Sequence, residues 1–97
     1  MAGKFVIVIN RKDNVGTALE TLGAGRVVQV EIQGRLEEVT LLSEIPMGHK
    51  FALRDIEEGG RVIKYGEPIG RSTAMIKRGA HVHVHNVVSP VKEGEGP

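Results

Sequence analysis

The apolar residues of this chain lie in short runs that favour β-strands. Lys4 to Asn10 (KFVIVIN) is rich in β-branched residues without polar alternation, which predicts a strand buried on both faces. Arg26 to Ile32 (RVVQVEI) and Leu36 to Leu42 (LEEVTLL) flank the turn signal QGR, and together they predict a β-hairpin. After Leu42, Gly and Pro divide the chain into a series of shorter predicted strands.

One spacing occurs four times in the chain: an apolar residue, then a glycine at the third position after it, then an apolar residue at the third position after the glycine. The four sets are Leu22/Gly25/Val28, Ile45/Gly48/Phe51, Ile56/Gly59/Val62 and Ile76/Gly79/Val82. Because glycine readily adopts positive φ, each set predicts a tight turn that leads into a strand and is anchored by core residues on both sides. The sets are irregularly spaced, so they indicate a compact, turn-rich β structure and not a solenoid.

One segment has helical spacing instead. Its apolar residues fall on a single helical stripe: Val15, Ala18, Leu19 and Leu22. Asp13 or Asn14 precedes the stripe as a candidate N-cap, and Gly23 or Gly25 follows it as a candidate end. We therefore predict one short helix near residues 14–22 in an otherwise mainly β chain.

The length of 97 residues suits one small domain with a modest core. We predict that this domain spans residues 1–88. The remainder, residues 89–97 (SPVKEGEGP), has no apolar spacing and is expected to be a flexible C-terminal tail. An active site at the surface, or one shared with another subunit, suits such a small core better than an enclosed one.

Composition excludes several functional classes. Lys and Arg total 13 against 12 Asp and Glu, and the aromatic residues are two Phe and one Tyr, so no nucleic-acid partner is expected. The absence of cysteine excludes a disulfide, a thiolate nucleophile and a cysteine-bound cluster on this chain. The longest wholly apolar run, Phe5 to Ile9, is too short to span a membrane. We therefore expect a cytoplasmic protein with no membrane partner.

Three of the four histidines alternate with valines in the stretch GAHVHVHN. On a strand, His81, His83 and His85 would share one face, with neighbours roughly 6.6–7 Å apart, while Val82 and Val84 would enter the core. Two histidines at i and i+2 can share one metal ion, whereas all three on a flat strand cannot. A metal would therefore use an adjacent pair plus a residue from elsewhere.

His49 is the obvious additional ligand, which makes His81, His83 and His49 the metal candidates. A role for the histidine face towards substrate or partner, and a plain polar surface, remain open beside the metal site. Tyr65 and Glu67 belong to a predicted turn, in which Gly66 is free to take unusual backbone angles and Pro68 fixes φ. The set predicted to face substrate or partner comprises His49, Tyr65, Glu67, His81, His83, His85 and Asn86.

The region from Ile45 to Asn86 closely resembles the SAF-type β-clip domain of the altronate/galactarate dehydratase family. The blocks GHKFAL, IKYGEPIG and GAHVHVHN, in this order, carry the resemblance, which extends back through NVGTALETL. In that family the domain is the N-terminal part of a longer enzyme or a separate small subunit. It is also similar to the small subunit of sulfolactate sulfo-lyase. The resemblance implies a β-clip of short, bent strands.

The resemblance also implies a function, the β-elimination of water from a sugar acid to give a 2-keto-3-deoxy acid. The family is associated with divalent iron, which is expected on a large catalytic subunit and not on this chain. Because the chain stops near residue 97, we expect it to be an accessory subunit of a carbon–oxygen lyase, inactive alone. Its expected partners are that large subunit and the sugar acid, and a homo-oligomer remains open.

Three alternatives remain at this stage. The chain could be the small subunit of a sulfolactate sulfo-lyase, or a non-enzymatic β-clip module that uses the histidine face for recognition only. A stand-alone metalloenzyme with a cupin-like His-x-His site is the third. The sequence has none of the downstream acidic and histidine ligands usual in cupins, which disfavours this last alternative.

Overall fold

The structure, a computed structural model of the chain, describes residues 6–7, 12–32 and 34–88. These residues contain nine β-strands: β1 Val6–Ile7, β2 Val15–Ala18, β3 Val27–Ile32, β4 Arg35–Thr40, β5 Lys50–Ala52, β6 Arg61–Lys64, β7 Glu67–Ser72, β8 His81–Val82 and β9 Val87–Val88. They form a four-stranded sheet in the order β1-β2-β5-β8, the two-stranded sheet β3-β4 and a three-stranded sheet in the order β6-β7-β9. All pairings are antiparallel. The prediction of a mainly β fold is confirmed.

The predicted hairpin is confirmed as β3 and β4, which pair from Val27↔Thr40 to Ile32↔Arg35. Of the predicted first strand, Val6–Ile7 is a strand, and the rest of it lies outside the described residues. The predicted tail, residues 89–97, also lies outside them. The described part of the chain contains no helix with the length and hydropathy needed to cross a membrane.

The helix predicted near residues 14–22 is wrong, because this segment contains strand β2 followed by a bend. Asp13 and Asn14, the expected N-caps, instead form hydrogen bonds with the β6–β7 hairpin. The side chain of Asn14 accepts a hydrogen bond from Ile63 N and donates one to Arg61 O, both at 2.8 Å. Asp13 is buried and accepts a hydrogen bond from Gly66 N. These two residues therefore fix the start of β2 to the β6–β7 hairpin.

The misleading helical spacing belongs to a repeated structural unit. In each of the four turn sets, a buried residue lies four positions before the first apolar residue. With this residue included, the repeated units are residues 18–28, 41–51, 52–62 and 72–82. Their first residues are Ala18, Leu41, Ala52 and Ser72, all of which are buried. The spacing between Ala18 and Leu22 is therefore the spacing of this unit and does not reflect a helical turn.

The units pair reciprocally, and the pairing brings distant strands together. Leu22 pairs with Ile45, and Ile56 pairs with Ile76, in isolated antiparallel bridges. Within each pair, the glycine N–H of one unit donates to the first carbonyl of the other: Gly25 to Leu41, Gly48 to Ala18, Gly59 to Ser72 and Gly79 to Ala52. All four glycines have φ between 83° and 90°, as the spacing predicts. The turn-and-strand prediction is confirmed for all four sets.

Two hydrophobic clusters fill the interior. The first contains Ala18, Leu22, Val28, Val30, Ile32, Val39, Leu41, Ile45, Phe51 and Leu53. The second contains Val15, Ala52, Ile56, Val62, Ile76 and Val82, with Ala80 and Val87 packed against it. Strands β5 and β8 contribute to these clusters through Phe51, Ala52 and Val82, so the backbone on which the histidines lie is anchored in the core.

Candidate functional site

The pairing of β5 with β8 brings together histidines that are distant in sequence. Phe51 lies opposite His81 and Lys50 opposite Val82. Continuing this antiparallel register by one residue places His83 opposite His49, and directly opposite residues on one face have Cβ atoms about 4.5–5.5 Å apart. His81 then lies on the diagonal from His49, so three imidazoles are directed to one part of the surface.

The three rings form a stacked group, which we call the histidine cluster (His49, His81 and His83). The rings of His49 and His83 have centroids 3.8 Å apart and planes 8° from parallel. Those of His49 and His81 are 5.0 Å apart at 15°, and His49 Nδ1 lies 2.8 Å from His81 Nε2. At this distance the two nitrogens are hydrogen-bonded, so one of them carries a proton and the other accepts it.

Asn86 holds the end of the histidine stretch in a turn. Its side chain accepts a hydrogen bond from His83 N and donates one to His81 O, each at 2.9 Å. Its backbone N–H donates to His83 O. The sequence predicts that Asn86 faces substrate or partner. In the structure its side chain binds the backbone of His81 and His83 and so orients both residues.

Because of the same turn, the prediction that Val84 enters the core is wrong. Strand β8 ends at Val82, which is buried as predicted, whereas Val84 is 81% exposed and does not enter the core. Strict alternation fails because the chain turns between His83 and Asn86 once the β5 partner strand has ended. His85 is exposed, and its ring is tilted by 35° against that of His81, with centroids 5.1 Å apart.

The electrostatic surroundings of the cluster are cationic. Burial lowers the pKa of His81, and the charges of His85, His49, His83 and Lys50 lower it further. Burial likewise lowers the pKa of His83, together with the charges of His49, Lys50 and His85. The pKa of Lys50 is lowered by its own burial and by Lys64. Every side chain whose charge perturbs these three pKa values is a histidine or a lysine, so the neutral forms of His81 and His83 are favoured.

One ring nitrogen in the cluster is buried without a partner in the described part of the chain. His83 Nδ1 is buried, and it has no hydrogen-bond partner among the described residues. A buried polar nitrogen left unpaired costs about 1–3 kcal/mol, so such atoms in native proteins usually have a partner. The nitrogen is therefore available to a ligand or to a group from outside the described residues.

The nitrogens of the cluster can also approach a single point. One ligand atom from each of His49, His81 and His83 lies within 4.8 Å of the other two, and all three residues are half-buried. Imidazole suits Zn²⁺, Fe²⁺, Co²⁺ and Ni²⁺ better than it suits Mg²⁺ or Ca²⁺. The donor set therefore fits a transition metal, including the iron that the family resemblance implies.

A shallow cavity of about 230 Å³ adjoins the cluster. It is lined by Lys50, Ile69, His83, Val84, Val87 and Val88. The exposed fractions of Val84, Val88 and Ile69 are 81%, 49% and 36%. Val84, Val88 and Ile69 form an exposed apolar rim at this cavity. The sequence pattern indicated neither this rim nor Lys50. The position of Lys50 directly after His49 is the only signal for its place here, whereas the rim depends on the pairing of β7 with β9.

The other predicted site residues lie on a different hairpin. Tyr65 and Gly66 form the two-residue turn between β6 and β7, with φ of 58° and 78°. Tyr65 is 55% exposed, and Lys64 Nζ lies 4.7 Å from its ring centroid. Glu67 is the exposed first residue of β7. Both residues therefore lie at the β6–β7 hairpin, whereas the histidine cluster lies on and beside β5 and β8.

Comparison with known proteins identifies the family. The family model described as the altronate/galactarate dehydratase SAF domain matches residues 4–90. Altronate dehydratase of Escherichia coli K12 is 50% identical over 80 residues, which are 82% of this chain but 15% of that protein. Galactarate dehydratase (L-threo-forming) of the same organism is 34% identical over 86 residues, 89% of this chain and 16% of that protein.

A shorter relative has a similar length. Subunit alpha of (2R)-sulfolactate sulfo-lyase from Chromohalobacter salexigens is 42% identical over 84 residues, which are 84% of this chain and 89% of that subunit. The chain thus spans less than a fifth of the two dehydratases and most of the sulfo-lyase subunit. These matches confirm the resemblance inferred from the sequence, and the chain belongs to the SAF-domain family of altronate/galactarate dehydratases.

Proposed function

We propose that this chain is the SAF-domain subunit of a lyase that eliminates water from a sugar acid of the altronate or galactarate type. The histidine cluster would face the active site that the large catalytic subunit supplies. Altronate dehydratase, at 50% identity over 80 residues, is the relative that supports this reaction.

The observation that carries the proposal is the position of the histidine cluster beside an exposed apolar rim. The half-buried imidazole of His83, which stacks with those of His49 and His81, lines the cavity at which Val84 and Val88 are exposed. An exposed apolar patch beside polar groups is typical of a surface that a partner covers. Such a cover would exclude water from the imidazoles, as an elimination through a charged intermediate requires.

The reaction needs groups that this arrangement can supply. Removal of the proton next to a carboxylate forms an enediolate with two negative charges, which cationic groups and hydrogen-bond donors stabilise. Imidazoles have pKa values near neutrality, so they suit transfer of that proton or protonation of the leaving hydroxyl. Lys50 lies in the same cavity as His83 and can attract the carboxylate. Divalent iron, where bound, would stabilise the enediolate as a Lewis acid.

A separate-subunit role is supported by the sulfo-lyase relative. In that protein a SAF domain of this kind makes up nearly all of one chain, which is named subunit alpha. The equivalent domain is a small part of the two dehydratases, so most of each of them lies outside the region matched here. We accordingly assign the main catalytic groups to the large subunit.

A sulfolactate sulfo-lyase is the second candidate function. It is favoured by the match over 89% of the alpha subunit, although the identity of 42% is lower than that with altronate dehydratase. Both functions use proton removal next to a carboxylate and differ in the leaving group. The histidine cluster and Lys50 would serve the two reactions in the same way.

Purification with the large subunit and assay against a panel of acids tests the proposal. We expect the two-chain enzyme to convert altronate or galactarate, and each chain alone to have no turnover. Release of sulfite from sulfolactate by the same enzyme would instead establish the second candidate. Sugar-acid dehydration by the rigorously purified small chain, or undiminished dehydration by the large subunit without it, would contradict the proposal. Failure to associate with any large subunit would favour a non-enzymatic binding module.

A further inference from the structure

We propose that His49, His81 and His83 together bind one divalent transition-metal ion, such as Zn²⁺, Co²⁺ or Fe²⁺, on this chain itself. Binding of this ion does not depend on the reaction proposed above or on any metal held by a large subunit; in the metal-bound form the three imidazoles would serve as ligands and not as proton-transfer groups. It would be a three-histidine site with further coordination positions open to water or to a ligand.

The spacing of the nitrogens supports the site. Zn–N bonds are about 2.0–2.1 Å long, so two nitrogens on one ion lie about 3.0–3.4 Å apart. His49 Nδ1 and His81 Nε2 are already 2.8 Å apart, and all three ligand atoms lie within 4.8 Å of one another. Adjustments of about 1 Å at the end of a side chain therefore bring the set to bonding distance.

The rings must turn to bind the ion. Their planes are 8–15° from parallel, whereas an ion bound by several imidazoles lies near the plane of each. Rotation about χ2 of histidine is soft, because this sp³–sp² torsion has a broad profile. Ion binding would replace the His49–His81 hydrogen bond and the stacking contacts, and the backbone positions would stay as they are.

The backbone beneath the cluster is held on both sides. Phe51 and Val82 are fully buried in the paired strands β5 and β8, which fix the positions of His49 and His81. Asn86 binds the backbone of both His81 and His83. The ligand-bearing segments are thus ordered before an ion arrives, which reduces the entropy cost of binding.

The chemistry of the donors selects the class of ion. Three neutral imidazoles provide borderline-soft nitrogen ligands, which favour first-row transition metals over Mg²⁺ and Ca²⁺. The buried His83 Nδ1, which has no hydrogen-bond partner among the described residues, gains a partner if it binds the ion. All three residues are half-buried, so solvent or a substrate oxygen can reach the remaining positions.

Titration of the untagged, chelator-treated chain with Co²⁺ tests the site, read by visible absorption of the bound ion and by calorimetry. We expect one ion per chain, displaced by Zn²⁺ and unaffected by excess Mg²⁺. Replacement of His49, His81 or His83 by Ala should weaken binding about 100-fold or more, since even outer-shell partners of metal ligands are worth 10–100-fold. His85→Ala is the matched control and should bind as the wild type does.

Folding of each variant is checked by circular dichroism and by the denaturant midpoint, and His→Gln variants replace any Ala variant that fails to fold. Absence of saturable binding to the folded wild-type chain would overturn the proposal. Equal weakening by His85→Ala, or equal binding by all variants, would overturn it as well, because the ion would then be held elsewhere. A metal-binding chain that supports no lyase activity would leave the site standing and refute only the proposed reaction.

Discussion

The imidazole of His49 lies flat against that of His83, with ring centroids 3.8 Å apart, because antiparallel β5 and β8 place the two residues opposite each other. His49 follows the turn of one repeated unit, and His83 directly follows Val82, the last residue of another. The histidine cluster is therefore formed where the pairing of β5 with β8 brings together two units that belong to different reciprocal pairs. Changes to that scaffold should alter the cluster in predictable ways.

Gly79→Ala is expected to destabilise the fold by about 2–4 kcal/mol. Gly79 has φ of 90°, and an added Cβ would overlap the backbone oxygen of Thr40. Gly25→Ala is the matched control, because its φ is 85° but no atom lies within 4 Å of its added Cβ. It should cost about 1 kcal/mol from the backbone conformation alone. Equal denaturant midpoints for the two variants would contradict this account.

Asn86→Ala is expected to destabilise the chain by about 1–2 kcal/mol, because two hydrogen bonds to the backbone of His81 and His83 are lost. Denaturant unfolding measures the effect. His85→Ala, in the same turn but exposed, should change stability by no more than about 0.5 kcal/mol. Asn86→Asp keeps the acceptor for His83 N but sets a second acceptor against His81 O, so it should also destabilise the chain. An Asn86→Ala variant as stable as wild type would show that the turn does not need this side chain.

Replacement of Val82 should lower stability, whereas replacement of Val84 should weaken binding to the large subunit. Val82→Ala removes fully buried methyl groups and should cost about 2 kcal/mol in the free energy of unfolding. Val84→Ala should leave stability within about 0.5 kcal/mol but weaken binding to the large subunit, since Val84 is exposed beside the cluster. Unchanged affinity in a pull-down or calorimetric titration would exclude Val84 from the interface.

Tyr65→Asn should be neutral or stabilise the chain by about 0.5 kcal/mol. Both turn residues have positive φ, which Asn tolerates better than Tyr, and the loss of the contact with Lys64 partly offsets the gain. Thermal unfolding measures this. If lyase activity falls while stability holds, the predicted role of Tyr65 towards substrate or partner is supported. A marked loss of stability would show that the Tyr65 ring contributes more than the strain it imposes.

Local patterns predicted much of the fold correctly. The four glycine-centred sets and the β3–β4 hairpin depend on neighbouring residues, and the structure confirms them. The helix prediction failed because the Ala18–Leu22 spacing has two explanations, and tertiary pairing selected the turn unit. Val84 was misplaced because alternation holds only as long as a partner strand continues. The meeting of His49 with His83, and the place of Lys50, depend on the β5–β8 register, which no local pattern specifies.

The central claim is that the histidine cluster serves the assembled lyase. The most direct test is kcat/KM of the two-chain enzyme with His81→Ala, compared with His85→Ala, after both variants are shown to fold and to bind the large subunit. We expect the His81→Ala enzyme to lose about 100-fold or more, as is typical when an acid–base or metal-binding group is removed, and His85→Ala to stay within about twofold. Equal and near-wild-type kcat/KM values for both variants would contradict the claim.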